Sequence, residues 1–184
     1  ILSLLFRGFA KAVKDKDSID GRDLAIALDF GVAAAYKAVM KPAEGTILTV
    51  SRLTAARAAD AARQTPNDPE AVLEAAIAEG QLALEHTTEM NPVLKKAGVV
   101  DAGGKGFLVI LQGMLDSLRG VPMPEGDGEG EAKVESKTDY AAIAAEEITF
   151  TFDTVFIVRK TSPHKGLEAF EAYLNSIGDS LVIG

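Results

Sequence analysis

Between Leu2 and Leu118 the apolar side chains fall three and four residues apart, in runs broken by proline, glycine or aspartate. That period places them along one side of an α-helix, whereas a half-buried strand alternates at every second residue. The first run holds Leu2, Leu5, Phe6, Phe9 and Val13 and breaks at residues 15–18. Asp20 is placed to cap a second helix reaching about Met40, with Leu24, Leu28, Val32, Ala35 and Val39 inward, and Lys41-Pro42 ends it. A third helix runs from near Gly45 to about Gln64 on Ile47, Val50, Thr54, Ala58 and Ala61. The turn TPNDPE delivers Pro69 to the first turn of a fourth helix, which carries Leu73, Ile77, Gly80 and Leu84 on one face. Asn91-Pro92 opens a short helical turn to Lys96, and Gly98 opens a loop. A last long helix is expected from about Gly103 to Leu118, with Phe107, Leu111, Met114 and Leu118 in register.

The fold class that follows is mainly α. Hydrophobic residues make up 47% of the chain but aromatics only 6%, and much of the apolar content is alanine, which suits closely packed helices. The helical domain is expected over 1–119. Residues 120–139, GVPMPEGDGEGEAKVESKTD, are rich in Pro, Gly and Glu and read as a solvated linker. Residues 140–184 read as the beginning of a small α/β domain: a strand at 148–158 (ITFTFDTVFIV), a helix at 166–177 with Leu167, Phe170, Tyr173 and Leu174 inward, and a second strand at 180–183. So short a β-α-β stretch cannot bury a core alone, so this second domain is expected to continue beyond the chain.

Charge and composition exclude several roles. The net charge is −8, which argues against nucleic acid as a partner, since phosphate backbones call for clustered Lys and Arg. Without cysteine there is no disulfide framework and no thiolate metal site, and the expected location is the cytoplasm. No apolar run reaches the roughly 20 residues a transmembrane helix needs, and ILSLLF lacks the basic flank of a signal peptide. The chain opens on Ile1 rather than Met, as a processed chain or a fragment would.

Two segments stand out. In Lys41-Pro42-Ala43-Glu44-Gly45-Thr46 a proline fixes the approach, a glycine allows close backbone contact, and Thr46 sits where a helix begins. This is either an ordinary connection with a threonine cap or a seat for a phosphate-like anion. In Gly98-Val99-Val100-Asp101-Ala102-Gly103-Gly104-Lys105-Gly106 three glycines crowd a helix start. Each costs roughly 1 kcal/mol relative to alanine inside a helix. Either close helix crossing or backbone approaching a nucleotide would repay that. Asp101 either caps the helix or holds a ligand hydroxyl. The segment is not a Walker A loop, and no strand precedes it as a dinucleotide fingerprint requires. His86 and His164 read as structural and solvated, the acidic stretch 125–131 fails the EF-hand pattern, and no triad or metal-ligand set emerges.

With ILSLLFRGFA at 1–10, KPAEGTILTV at 41–50, NPVLKKAGVVDAGGKGF at 91–107 and IGDSLVIG at 177–184, the chain resembles the ATP-binding subunit of bacterial fatty acid kinase. The N-terminal domain of that family is similar to the L subunit of dihydroxyacetone kinase. The resemblance implies an antiparallel barrel of amphipathic helices holding ATP and magnesium at one end. It also implies phosphoryl transfer to a fatty acid carboxylate presented by a separate fatty-acid-binding carrier protein. It puts Gly45 and Thr46 against the nucleotide phosphates or ribose, with Asp101, Ala102, Gly103 and Gly104 lining the site beside them.

The sequence also departs from the family. Its magnesium-binding Asp-Gly-Asp-Thr-Gly-Thr-Asn motif and a Gly-Asn-Ser-Gly segment are missing, so the ligands for magnesium are absent and these 184 residues are expected to be inactive by themselves. Where the family often has Tyr-Cys, this chain has Phe152-Asp153, and no metal is expected there. The groove left by absent helices would be open to a neighbouring chain, a homodimer. Two other readings stand beside the fatty acid kinase: a kinase of dihydroxyacetone or a similar small molecule, and a non-catalytic helical scaffold or interaction module.

Overall fold

The computed structural model describes residues 1–122, 154–159, 166–178 and 181. The chain divides into two compact units, Ile1–Val134 and Glu135–Gly184. The first contains six helices among its described residues: α1 (Leu2–Val13), α2 (Gly21–Ala38), α3 (Ile47–Gln64), α4 (Pro69–Met90), α5 (Pro92–Ala97) and α6 (Ala102–Leu118). The second contains α7 (Glu168–Ile177).

Local chemistry sets the boundaries of these helices. Asp20 accepts from the Asp23 N–H at 2.8 Å, Asp68 from Ala71 at 3.0 Å, Asn91 from Val93 at 3.0 Å and Asp101 from Gly104 at 2.7 Å. Each such cap is worth about 1 kcal/mol. Pro69 and Pro92 occupy first turns, where no N–H is missed. α2 stops at Ala38, with Val39 already extended, because the chain must leave helical geometry ahead of Pro42. α5 ends on Gly98 in the left-handed region, at φ 66°.

The first unit is a helical bundle with α3 at its centre, touching α2, α4 and α6, while α1 packs along α2. Leu24, Val50, Leu73, Leu108 and Leu111 are all but completely buried. Burying one such leucine contributes roughly 1.5–3 kcal/mol. Small residues set the helix spacing. A Cβ on Gly8 would come within 2.7 Å of the Gly31 Cα, and one on Gly80 within 2.6 Å of the Thr54 Oγ1. Leu118, expected inward, is 53% exposed. It belongs to an apolar groove of about 530 Å³ with Ile19, Leu24, Leu73, Ile110 and Met114, at the end of the bundle where α6 finishes and α4 begins.

In the second unit α7 appears where a helix is expected, but none of its residues is buried, and Phe170 and Tyr173 are exposed. The rings of Phe170 and Phe156 meet edge to face at 6.3 Å. Residues 154–158 of the expected first strand carry no strand, and Val155 and Ile157 are 90% and 98% exposed. An apolar run becomes a strand only beside a partner that takes its backbone hydrogen bonds, and none lies among the described residues. Residues 148–153 and all of the second strand except Leu181 lie outside the described residues, as does the linker beyond Pro122.

Candidate functional site

The start of α3 is held by a chain of polar contacts. Gly45 has φ 73°, and a Cβ there would lie 2.8 Å from the Cβ of Met90 and 3.0 Å from the Asn91 nitrogen. The position therefore demands glycine both for its backbone and for its neighbours. The Gly45 N–H donates to the Thr49 Oγ1 at 2.9 Å, and that fully buried hydroxyl donates in turn to Glu44 Oε2 at 2.7 Å. The same carboxylate oxygen accepts from the Arg52 guanidinium at 2.9 Å, and Arg52 Nε donates to the Tyr36 hydroxyl at 3.1 Å. The Thr49 hydrogen bond, and after it Arg52, hold the Glu44 carboxyl below its usual value, while Tyr36 and Glu44 push Arg52 up. Thr46 caps the helix: its hydroxyl donates to the Ala43 carbonyl at 2.8 Å and accepts from the Leu48 N–H at 3.3 Å.

The start of α6 is held by the last turns of α4. The Thr88 hydroxyl donates to the Val99 carbonyl at 2.9 Å. The Asp101 N–H donates to the buried Thr87 Oγ1 at 3.1 Å, and Thr87 donates to the Leu84 carbonyl. Asp101 is thereby fixed with its carboxylate over the Gly104 N–H. A Cβ on Gly104 would lie 2.8 Å from Val50 Cγ2 and 3.2 Å from Leu84 Cδ1, and one on Gly103 would lie 3.3 Å from the Cβ of Ile47.

These contacts bring the two segments together. Ile47, the first residue of α3, lies against Gly103 in the first turn of α6, and Val50 lies against Gly104. Two helix N-termini thus adjoin, each with N–H groups that have no acceptor in their own helix and each carrying partial positive charge. They are not equivalent. The α6 terminus is faced by the Asp101 carboxylate, whereas the α3 terminus is capped by an uncharged hydroxyl. A hydroxyl donor suits Asp101, and an anionic group suits α3 with the Glu44 charge offset by Arg52.

The six residues singled out from sequence divide accordingly. Thr46 and Asp101 are half-buried, and Ala102 and Gly103 are exposed. Gly45 and Gly104 are buried against protein, and their N–H groups are taken by Thr49 and Asp101. These two act on a ligand only through the shape they give the backbone. Sequence reasoning passed over Tyr36, Glu44, Thr49, Arg52, Thr87 and Thr88, whose partners lie across turns or on other helices. Among the described residues no three His, Asp or Glu side chains gather to hold a metal ion. His86 is exposed on α4, and His164 lies outside the described residues. No helix among the described residues is long and apolar enough to cross a membrane.

Comparison with known proteins gives a consistent relationship. The DAK2 domain family model matches residues 1–116. Protein YloV of Bacillus subtilis is 40% identical over 191 residues, covering all of this chain and 34% of YloV. An uncharacterized protein of Staphylococcus haemolyticus is 38% identical over 188 residues, and one of Staphylococcus aureus strain NCTC 8325 is 37% identical over 188 residues. The chain covers all of its own length but only 34% of the length of each of these relatives.

Proposed function

The chain belongs to the DAK2-domain family, and from that premise we propose that it forms one wall of the ATP site of a kinase whose longer parent phosphorylates a fatty acid carboxylate. The observation that carries this reading is the meeting of the α3 and α6 N-termini at Ile47 and Gly103. Thr46 and the first turn of α3 would face the phosphates, and Asp101 with Ala102 and Gly103 would face the rest of the nucleotide. Bound ATP supplies the phosphoryl group, and the products are ADP and an acyl phosphate. This chain's own part is to orient the phosphates and to offset their charge with fixed N–H groups, the kind of positioning on which phosphoryl transfer depends. The fatty acid would arrive on a separate lipid-binding protein.

Hydrogen exchange tests the site. Saturating ADP should slow exchange of amides in 45–49 and 101–106 and leave 70–80 unchanged. Unaltered exchange in both entrances would remove the nucleotide reading. The substrate is tested on the full-length parent with ATP, a fatty acid and its carrier protein; turnover of dihydroxyacetone without any carrier would replace the fatty acid by a small ketone.

A further inference from the structure

At the α3 terminus there is a competitor for any phosphate. Glu44 lies three residues before Ile47, and its carboxylate is bonded to Thr49 inside the first turn. A carboxylate so placed is itself favoured by a helix N-terminus and repels a second anion there. The structure restrains that charge from two sides. Thr49 commits its proton to Oε2, which leaves its lone pair for the Gly45 N–H and so fixes the left-handed turn. Arg52, one turn further along α3, places its guanidinium on the same oxygen and is itself tethered to Tyr36 at the end of α2.

Resting on the nucleotide reading above, we propose that Glu44, Arg52 and Tyr36 are positioning residues for the phosphate-binding end of α3: Glu44 locks the Gly45 turn, and Arg52, held by Tyr36, cancels the charge that would otherwise exclude the phosphates. Arg52 then acts through Glu44 and not by touching the ligand. Of the charged groups bonded in this cluster, Glu44 and Arg52 are one of each sign, so the pair adds no net charge while intact.

The test uses the chain as it stands, with ADP as probe and calorimetric titration as readout. Arg52→Met leaves Glu44 unpaired and should weaken ADP binding about tenfold at low salt. Glu44→Gln combined with Arg52→Met removes both charges and should bind within about twofold of the parent. Raising salt to about 0.5 M should shrink the Arg52→Met deficit, because screening acts on charge and not on packing. The Gly45 amide should stay protected in Arg52→Met, where the Thr49–Glu44 bond survives, and lose protection in Glu44→Ala. Equal affinity of Arg52→Met and parent would overturn the proposal. So would a double variant that binds as poorly as the single one, since Arg52 would then be touching phosphate directly. If the parent chain itself ignores ADP, the nucleotide reading fails and takes this inference with it, whereas failure of the variant pattern alone leaves that reading standing. Arg52 and Glu44 are both substantially exposed, so the variants should keep the parent's circular dichroism.

Discussion

The sharpest stability prediction concerns the crossing of α1 and α2. A Cβ on Gly8 would lie 2.7 Å from the Gly31 Cα and closer still to the Phe30 carbonyl oxygen, and one on Gly31 would lie 2.6 Å from the Leu5 carbonyl oxygen. Ordinary contact begins near 3.4 Å, and the obstructing atoms are backbone, which cannot rotate away. Gly8→Ala therefore forces the two helices apart by about 0.7 Å or more, loosening Leu5 and Leu28 in the core beneath. Overpacking of this kind costs about 1–3 kcal/mol, and alanine returns up to about 1 kcal/mol of helix propensity. The expected net loss is about 1–2 kcal/mol, read as a lower urea midpoint at unchanged slope. Gly31→Ala should behave alike, and the double variant should lose less than the sum, because the helices separate only once. Gly113, whose missing Cβ has nothing within 4 Å among the described residues outside its own stretch of helix, is the control: alanine there should stabilise by about 0.5–1 kcal/mol. If Gly8→Ala unfolds at or above the parent's midpoint, or Gly113→Ala falls with it, the argument from backbone approach is wrong.

Three further outcomes are expected. Thr49→Val strands the buried Gly45 N–H and should cost about 1–3 kcal/mol in urea unfolding, with faster exchange of the Gly45 amide. Glu44 has a lowered pKa in the folded chain, so its contribution is present above the ordinary carboxylate value of about 4.3 and is lost as pH falls through the lower folded value; urea midpoints followed from neutral to acid pH should drop more steeply for the parent than for Glu44→Gln. Thr54 Oγ1 is buried with no hydrogen-bond partner among the described residues, so the near-isosteric Thr54→Val should unfold at an equal or higher urea midpoint, and a loss above about 1 kcal/mol would mean that the hydroxyl has a partner.

The helices were legible in the sequence because what starts and stops them is local. Asp20, Asp68, Asn91 and Asp101 each reach an N–H two or three residues on, and Pro42 acts on its own neighbours. The strand at 148–158 rested on alternation and β-branched content, and neither supplies the pairing partner that 154–158 lack among the described residues. Glu44 and Arg52 escaped notice because their pairing joins a loop to the next helix at a spacing that no single helical period predicts.

The glycines of 98–106 show where local reasoning stops. One run of small residues admitted two explanations, close crossing or ligand approach, and the structure assigns them separately. Gly98 ends α5 in the left-handed region, Gly104 lets α6 press on Val50, and Gly103 lets it meet Ile47. Packing therefore repays the helix-propensity cost of Gly103 and Gly104 without any ligand, so glycine content by itself no longer argues for a nucleotide. What does argue for one is a fact no sequence window contains. Ile47 and Gly103, far apart in the chain, stand side by side, and the carboxylate bonded to the first turn of α3, Glu44, is paired with Arg52, while Asp101 caps the α6 terminus. Gly106 is left over: among the described residues nothing outside its own stretch of helix lies within 4 Å of its missing Cβ, and neither turn nor packing accounts for it.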